Sequence, residues 1–273
     1  MADDTIDKLE QRRIDKHKFR LKRVEDSRSI EGVIDQLTLF TLYDLINKGL
    51  LRVIHGVIAT GKESNVYWAE NAKGRSVAVK IYRTSTADFK RMREYVIGDP
   101  RFKRIKGGTR SMIFTWAEKE FKNLRTAFDI GVRVPKPIAV QKNVLVMEFL
   151  GRSGIPAPRL KDEAPSNPSS TLKTIIHYLK LLYTKAEIVH ADLSEYNVLM
   201  WKGPVLIDIS QGVHISHPLS KEYLKRDLQN ITRYFSSLGV STKPVPQIYE
   251  DVTGEEYKEQ FLSSESISMR RAP

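Results

Sequence analysis

Cysteine is absent from all 273 residues, which excludes disulfide frameworks, thiolate zinc sites and cysteine nucleophiles and is compatible with a reducing compartment. No apolar run approaches the roughly eighteen residues of a membrane span. The first thirty residues also lack the apolar stretch of a signal peptide, so a soluble, cytoplasmic chain with no membrane partner is expected. The six histidines show no His-Glu-x-x-His or related spacing, so zinc chemistry is not expected, and no internal repeat occurs.

What is present is charge. Forty-five Lys and Arg against thirty-three Asp and Glu leave a formal net charge of +12, which favours nucleic acid, nucleotide phosphates or acidic surfaces as partners. A solvated basic protein would show the same balance. The chain is 41% hydrophobic, enough for a proper core, and longer than the usual single domain, so two lobes are expected.

Residues 1–50 read as an N-terminal helical extension. Its first thirty residues carry nine Lys/Arg and seven Asp/Glu with sparse apolar positions, as in a charged, partly frayed helix or a solvated arm. From Thr38, a candidate N-cap, Leu39, Leu42, Tyr43, Ile46 and Leu50 recur at helical spacing.

Residues 51–150 change period and read as a nucleotide-binding lobe. Three strands are expected at Leu51–Gly56, Ser64–Ala69 and Ser76–Tyr82, with two more at Val132–Val140 and Asn143–Gly151, giving five. Gly56-Val-Ile-Ala-Thr-Gly-Lys62-Glu63 reads as a loop whose backbone N–H groups can lie over a polyphosphate, with Lys62 among the candidate contacts. The stretch nearly spells a P-loop, and Val205-Leu-Ile-Asp208 nearly spells its acidic strand end. Against that reading, Glu63 replaces the metal-binding Ser/Thr, and strand-like sequence follows where a helix should hold phosphate. Lys80 either faces water from its strand or reaches across the sheet to phosphates. A helix from Thr115 to about Phe128 has Ala117, Phe121, Leu124 and Phe128 as its core stripe, with Glu120 at the boundary with solvent. Between strand and helix, residues 83–110 carry nine Lys/Arg and three Asp/Glu with little amphipathicity. They read either as a mobile solvated loop or as a contact surface for RNA or an acidic partner. A base at the end of the fifth strand would bond the backbone of Glu148 to Leu150, with Met147 behind it; an ordinary core strand end fits the same residues.

Residues 151–262 form a mainly helical second lobe. Leu172, Ile175, Ile176, Leu179, Leu182 and Tyr183 make one buried face, Leu224, Leu228, Ile231, Phe235 and Leu238 another, and one more helix is expected between 239 and 262. Residues 263–273 read as a flexible tail.

Residues 189–210 concentrate the chemistry. Asp192, Asn197 and Asp208 lie within seventeen residues, separated by two apolar runs and a Lys202-Gly203-Pro204 turn. An Asp, an Asn five residues later and an Asp closing the next strand is the spacing with which a protein kinase places its base and two metal ligands. Lys80, Glu120, Asp192, Asn197 and Asp208 then stand in the order that phosphoryl transfer requires: phosphate anchor, orienter, base and two ligands for Mg²⁺. His190 reads as a loop support held by hydrogen bonding.

Thr60-Gly-Lys-Glu-Ser-Asn-Val-Tyr67, Val77-Ala-Val-Lys-Ile-Tyr82, Trp116-Ala-Glu-Lys-Glu-Phe-Lys-Asn-Leu124, His190-Ala-Asp-Leu-Ser-Glu-Tyr-Asn197 and Leu206-Ile-Asp-Ile-Ser-Gln-Gly212 resemble the motifs of the RIO family of atypical serine protein kinases, most of all its Rio-one subfamily. The resemblance covers about residues 30–262. It implies an α+β, two-lobed protein-kinase-like fold: a five-stranded antiparallel N-lobe sheet with one main helix, N-terminal helices, a mainly helical C-lobe and no activation segment. It places Ser64 on the phosphates, the backbone of Glu148 and Leu150 on adenine, and the family's flexible loop at 83–110. It further implies ATP with Mg²⁺ or Mn²⁺, autophosphorylation on serine, and a pre-small-ribosomal-subunit particle or its RNA as partner. An ATPase switch through an aspartyl-phosphate at Asp208 is the alternative. Only nineteen positions separate Asp208 from Asp227 and no Ala-Pro-Glu segment occurs, so little chain is left to dock a substrate peptide.

Overall fold

The computed structural model describes residues 34–84, 89–102 and 108–259. The expected charged N-terminal helix and the tail from Ser263 lie outside them. Contacts divide the chain into units 1–39 and 40–273. Of the first, residues 34–39 are described; they hold the start of helix α1, Gln36–Asn47. Its cap is Asp35, whose Oδ1 accepts the Thr38 N–H at 2.8 Å. Thr38, expected as the N-cap, is inside the first turn: a carboxylate at the helix mouth satisfies the orphan donors better than the hydroxyl three residues on. Further along α1, Leu42 and Leu45 are buried while Ile46 is exposed, so the apolar face is turned from the expected stripe.

The second unit begins with a five-stranded, fully antiparallel sheet of order β1-β2-β3-β5-β4. The strands are β1 Val53–Thr60, β2 Ser64–Glu70, β3 Ser76–Tyr82, β4 Pro137–Gln141 and β5 Val144–Glu148. The β2–β3 turn is set by Asn71, whose Oδ1 accepts from the N–H groups of Lys73 and Arg75 at 3.0 Å, with Gly74 at φ 70°. Most of the expected phosphate loop is strand: β1 runs to Thr60, with register shifts between Ile54 and Gly56 and between Val57 and Ala59, leaving only Gly61–Glu63 as the turn. The bulges let glycine and β-branched residues stay in the ladder.

The basic stretch also has more structure than its composition suggests. Phe89–Val96 is helix α2, and a 3₁₀ turn follows at Pro100–Phe102. Met92, Tyr95, Val96 and Phe102 are buried in the main core beside Trp116. The mobile-loop expectation is therefore corrected for these residues, because three apolar side chains at helical spacing, with Phe102 from the 3₁₀ turn, suffice to dock them despite the charge around them. Helix α3 spans Thr109–Asp129 and starts six residues before its expected N-terminus.

Helices α4 (Pro168–Thr184), α5 (Ser220–Ser237) and α6 (Val245–Thr253) form the second half. Asn167 caps α4 by accepting the Ser170 N–H at 2.9 Å, with Pro168 in the first turn. The expected faces hold: Leu172, Ile175, Leu179, Leu182 and Tyr183 on α4 and Leu224, Leu228, Ile231 and Phe235 on α5 are buried. Between α4 and α5 run the short strands β8 (Ile188–Val189), β9 (Val198–Met200), β10 (Pro204–Leu206) and β11 (Val213–His214), β9 pairing β10 and β11 pairing β8. No helix among the described residues is long and apolar enough to cross a membrane.

If α2 is docked, Met92→Ala costs about 2–4 kcal/mol of unfolding free energy in urea, as for other buried large-to-small changes. An unchanged urea midpoint would show that the insert contributes nothing to the core.

Candidate active site

Lys80 sits on the middle strand of the sheet, between Val66 of β2 and Leu145 of β5. It is 4% exposed, so the wet-face alternative is excluded. Its Nζ donates to Glu120 Oε1 at 2.9 Å and to Asp208 Oδ1 at 2.7 Å. Burial alone would push the ammonium's pKa down, but the two carboxylates outweigh it and hold the pKa above its ordinary value. Glu120 is 1% exposed, not at the solvent boundary. The buried face of α3 runs through Met112, Ile113, Trp116, Ala117, Lys119, Glu120, Asn123, Leu124 and Ala127, whereas Phe128 is 40% exposed. The aromatic residues suggested the wrong stripe because the polar residues on this face are bonded, and so can be buried. Burial pushes the Glu120 carboxyl up to about 7, with Lys80 pulling against it, and its Oε2 has no hydrogen-bond partner among the described residues.

Asn197 and Asp208 are brought together by the β9–β10 hairpin. Its three-residue connection, Trp201–Gly203, reverses the chain through positive φ at Lys202 (52°) and Gly203 (112°). Val198 opposes Leu206, and the Ile207 N–H donates to the Asn197 carbonyl at 2.9 Å. Asp208 follows in the left-handed region at φ 58°, ψ 54°, and its Oδ1 also accepts the Ser210 hydroxyl at 3.0 Å. Burial pushes its carboxyl up, but Lys80 and Ser210 hold it below the ordinary carboxylate range. The side chain keeps 43% of its surface exposed.

Asp192 is joined to this pair through Asn197, whose Nδ2 donates to the Asp192 carbonyl at 2.7 Å and to its Oδ2 at 3.2 Å. The turn before it is strained, with Ala191 at φ 66°. Asp227 of α5, fully buried, holds it by accepting the N–H groups of Ala191 at 2.7 Å and Leu193 at 2.8 Å, and Arg226 donates to the Ala191 carbonyl. Burial pushes the Asp227 carboxyl up to about 8 against those two donors. Sequence reading gave Asp227 no role, although a carboxylate between Leu224 and Leu228 on an apolar stripe is the mark of a bonded core acid. His190 supports the loop as expected: fully buried, its Nε2–H donates to the Ile207 carbonyl at 3.2 Å.

Lys80, Glu120, Asn197 and Asp208 border a cavity of about 560 Å³, a volume suited to a nucleotide. Of the sequence-derived candidates, Ser64, Lys80, Glu120, Met147, Glu148, Leu150, Asn197 and Asp208 line it; Lys62 and Asp192 do not. Lys62 is exposed at the tip of the shortened β1–β2 turn. Val66, Ala78, Leu124 and Ile207 supply apolar walls. The Leu150 carbonyl is engaged by the Ala157 N–H at 2.8 Å, which folds the hairpin β6–β7 (Gly151–Arg152, Ile155–Pro156) back on the cavity rim.

Among the described residues no cluster of three His, Asp or Glu could hold a metal by itself. Asp208 and Asn197 nevertheless fit Mg²⁺: both line the cavity, and the Asn197 Nδ2 is engaged by Asp192, which leaves its amide oxygen as the donor for a metal. Two hard oxygen donors are what an ion completed by substrate phosphates and water requires.

The sheet with its buried lysine–glutamate pair and the Asp-Asn-Asp loop beneath it define a protein-kinase-like phosphotransfer fold. A sequence model of the RIO domain matches residues 65–248, and the chain belongs to that family. It is 40% identical over 260 residues to the RIO-type serine/threonine-protein kinase Rio1 of Haloferax volcanii, covering 94% of this chain and 89% of that one. It is 42% identical over 236 residues to the Rio1 of Methanocaldococcus jannaschii, covering 86% and 80%. The human serine/threonine-protein kinase RIO1 is 38% identical over 260 residues, and this chain spans 46% of its length. Among solved structures, the Rio2 kinase-ADP/Mg²⁺-phosphoaspartate complex from Chaetomium thermophilum superposes with a TM-score of 0.61 at 25% identity, covering 78% of this chain and 64% of that one.

The buried imidazole gives a pH test. Burial lowers the His190 pKa from 6.5 to about 4. Between those values the unfolded chain binds the extra proton, so His190 adds stability above about pH 6.5 and loses it as pH falls towards 4. The unfolding free energy of wild type minus that of His190→Gln should therefore shrink by on the order of 3 kcal/mol between pH 7 and pH 4, at about 1.4 kcal/mol per unit. A difference independent of pH would mean that the imidazole titrates alike in both states.

Proposed function

We propose that this protein is an ATP- and Mg²⁺-dependent serine/threonine protein kinase of the RIO type, which takes itself as one phosphoacceptor and acts in maturation of the small ribosomal subunit. The observation that carries the reading is the Lys80 ammonium held between Glu120 and Asp208 at the wall of a nucleotide-sized cavity. Lys80, oriented by Glu120, binds the phosphates; the backbone of Glu148 to Leu150 receives adenine beside Met147; Ser64 caps the phosphates from β2. Asp192 positions the acceptor hydroxyl and takes its proton as the γ-phosphoryl group leaves ATP. Held by Asn197 and Asp208, Mg²⁺ would supply neutralisation of phosphate charge. The ribosomal assignment is supported by the net charge of +12 and by the basic insert at 83–110, where a pre-ribosomal particle or its RNA would bind.

Three observations favour a second reading, an ATPase switch through an aspartyl-phosphate. Both hydrogen bonds given above for Asp208 fall on Oδ1, its side chain is 43% exposed, and the related Rio2 structure is itself a phosphoaspartate complex.

The test uses γ-labelled ATP with Mg²⁺, with and without pre-ribosomal particles, for wild type and Asp208→Asn. Phosphoserine on protein supports the kinase. Hydroxylamine-labile phosphate and free phosphate that both vanish in Asp208→Asn support the switch, and no turnover under any condition overturns both. Lys80→Ala should lose at least about a hundredfold in turnover. It should remain folded but lose about 3–5 kcal/mol of stability, because Glu120 is left buried without its partner. Wild-type turnover in Lys80→Ala would remove the lysine from the reaction.

A further inference from the structure

Asp208 stands in a left-handed backbone conformation, followed at once by the 3₁₀ turn Ile209–Gln211. The carbonyls of this turn are gripped from one side by α3. Asn123 Nδ2 donates to the Ile209 carbonyl at 2.9 Å and to the Gly212 carbonyl at 2.9 Å. Lys119 Nζ donates to the Ser210 carbonyl at 2.8 Å and to that of Gly212. From the 3₁₀ turn at Pro100–Phe102, Arg101 Nη2 adds a longer bond to the Gly212 carbonyl at 3.4 Å.

Three features indicate that this grip is specific. Lys119 and Asn123 are fully buried, and the lysine hydrogen-bonds to main-chain carbonyls where an apolar side chain of its size would avoid the cost of burying an ammonium. Arg101 Nη1 donates to Asn123 Oδ1 at 2.8 Å, which fixes the amide so that its own donors face the turn; Arg101 is held in turn by Asp99 at 2.6 Å and 2.9 Å. Gly212 leaves room for nothing else: a Cβ there would lie 2.9 Å from Asn123 Nδ2 and 3.0 Å from the Ile209 carbonyl oxygen. None of Lys119, Asn123 and Arg101 lines the nucleotide cavity. Lys119 directly precedes Glu120, so one turn of α3 holds both the lysine that meets Asp208 and the backbone that carries Asp208.

We propose that Lys119, Asn123 and Arg101 are positioning residues that hold Asp208 in its metal-binding orientation, and that Arg101 thereby ties the basic insert to the metal site. The proposal rests on the phosphotransfer reading. It acts through Asp208, so it predicts a loss confined to the metal-dependent part of nucleotide binding.

The experiment is calorimetric titration of the full chain with ADP, once with Mg²⁺ and once with EDTA, for wild type, Asp208→Asn, Lys119→Met and Arg101→Gln. In wild type, Mg²⁺ strengthens ADP binding, and Asp208→Asn abolishes that gain. Lys119→Met and Arg101→Gln should lose about tenfold or more of the gain, as expected when residues behind a metal ligand are removed, while binding in EDTA stays within about twofold of wild type. A gain equal to wild type in both variants overturns the proposal, as does an equal loss with and without metal. A wild type with no gain from Mg²⁺ overturns the phosphotransfer reading itself. Should Lys119→Met not fold, Arg101→Gln decides alone: the Arg101 side chain keeps 26% of its surface exposed, and glutamine leaves an amide donor for the buried Asp99.

Discussion

An ammonium group buried in the middle of a sheet is the constraint on which this structure turns. Without compensation its desolvation would cost several kcal/mol, and one carboxylate, itself buried, would only partly offset this. Lys80 has two, forty and 128 residues away in sequence, so the sheet, α3 and the β9–β10 hairpin must all be in register before the charge is satisfied. A site assembled from three distant segments is thereby coupled to correct folding of the whole second unit.

Strain is handled in the same way. Ala191 and Asp208 both occupy left-handed backbone, at about 1–3 kcal/mol each, and flank the stretch that carries Asp192 and Asn197. Each is held from another helix: Asp227 and Arg226 on α5 clamp the first, Lys119 and Asn123 on α3 the turn after the second. The stretch from Ala191 to Gly212 is thus held by two buried polar networks, whose members Lys119, Asn123, Arg226 and Asp227 stay out of the cavity lining.

Much of this was legible in the sequence. Strand alternation and the apolar stripes of α4 and α5 follow from local periodicity, and the Lys80–Glu120–Asp192–Asn197–Asp208 order follows from the chemistry those groups share. Most of what failed did so for one physical reason. Periodicity counts apolar residues, and it therefore misplaces a helix face whose buried positions are Lys119, Glu120 and Asn123, or an insert whose few apolar side chains are surrounded by charge. A buried polar residue is visible only through its partner, and the partners of Lys119 and Asn123 are main-chain carbonyls, which carry no residue identity. The strand content of Val57–Thr60 was missed because the glycines that bracket it, Gly56 and Gly61, read as loop, although bulged pairing keeps the segment in the ladder.

The docked insert alters how the protein is seen by a polyanion. A formal charge of +12 counts every cation alike, whereas counterions gather only around those that reach water. Lys80 and Lys119 are interior, and Arg101 faces Asp99. Each phosphate neutralised on binding contributes roughly 0.9 to the slope of log affinity against log salt on duplex nucleic acid, and the two interior lysines contribute to none of it. The ionic-strength dependence of a nucleic-acid complex would therefore report a smaller population of cations, drawn from the outer surface and not from the network behind Asp208.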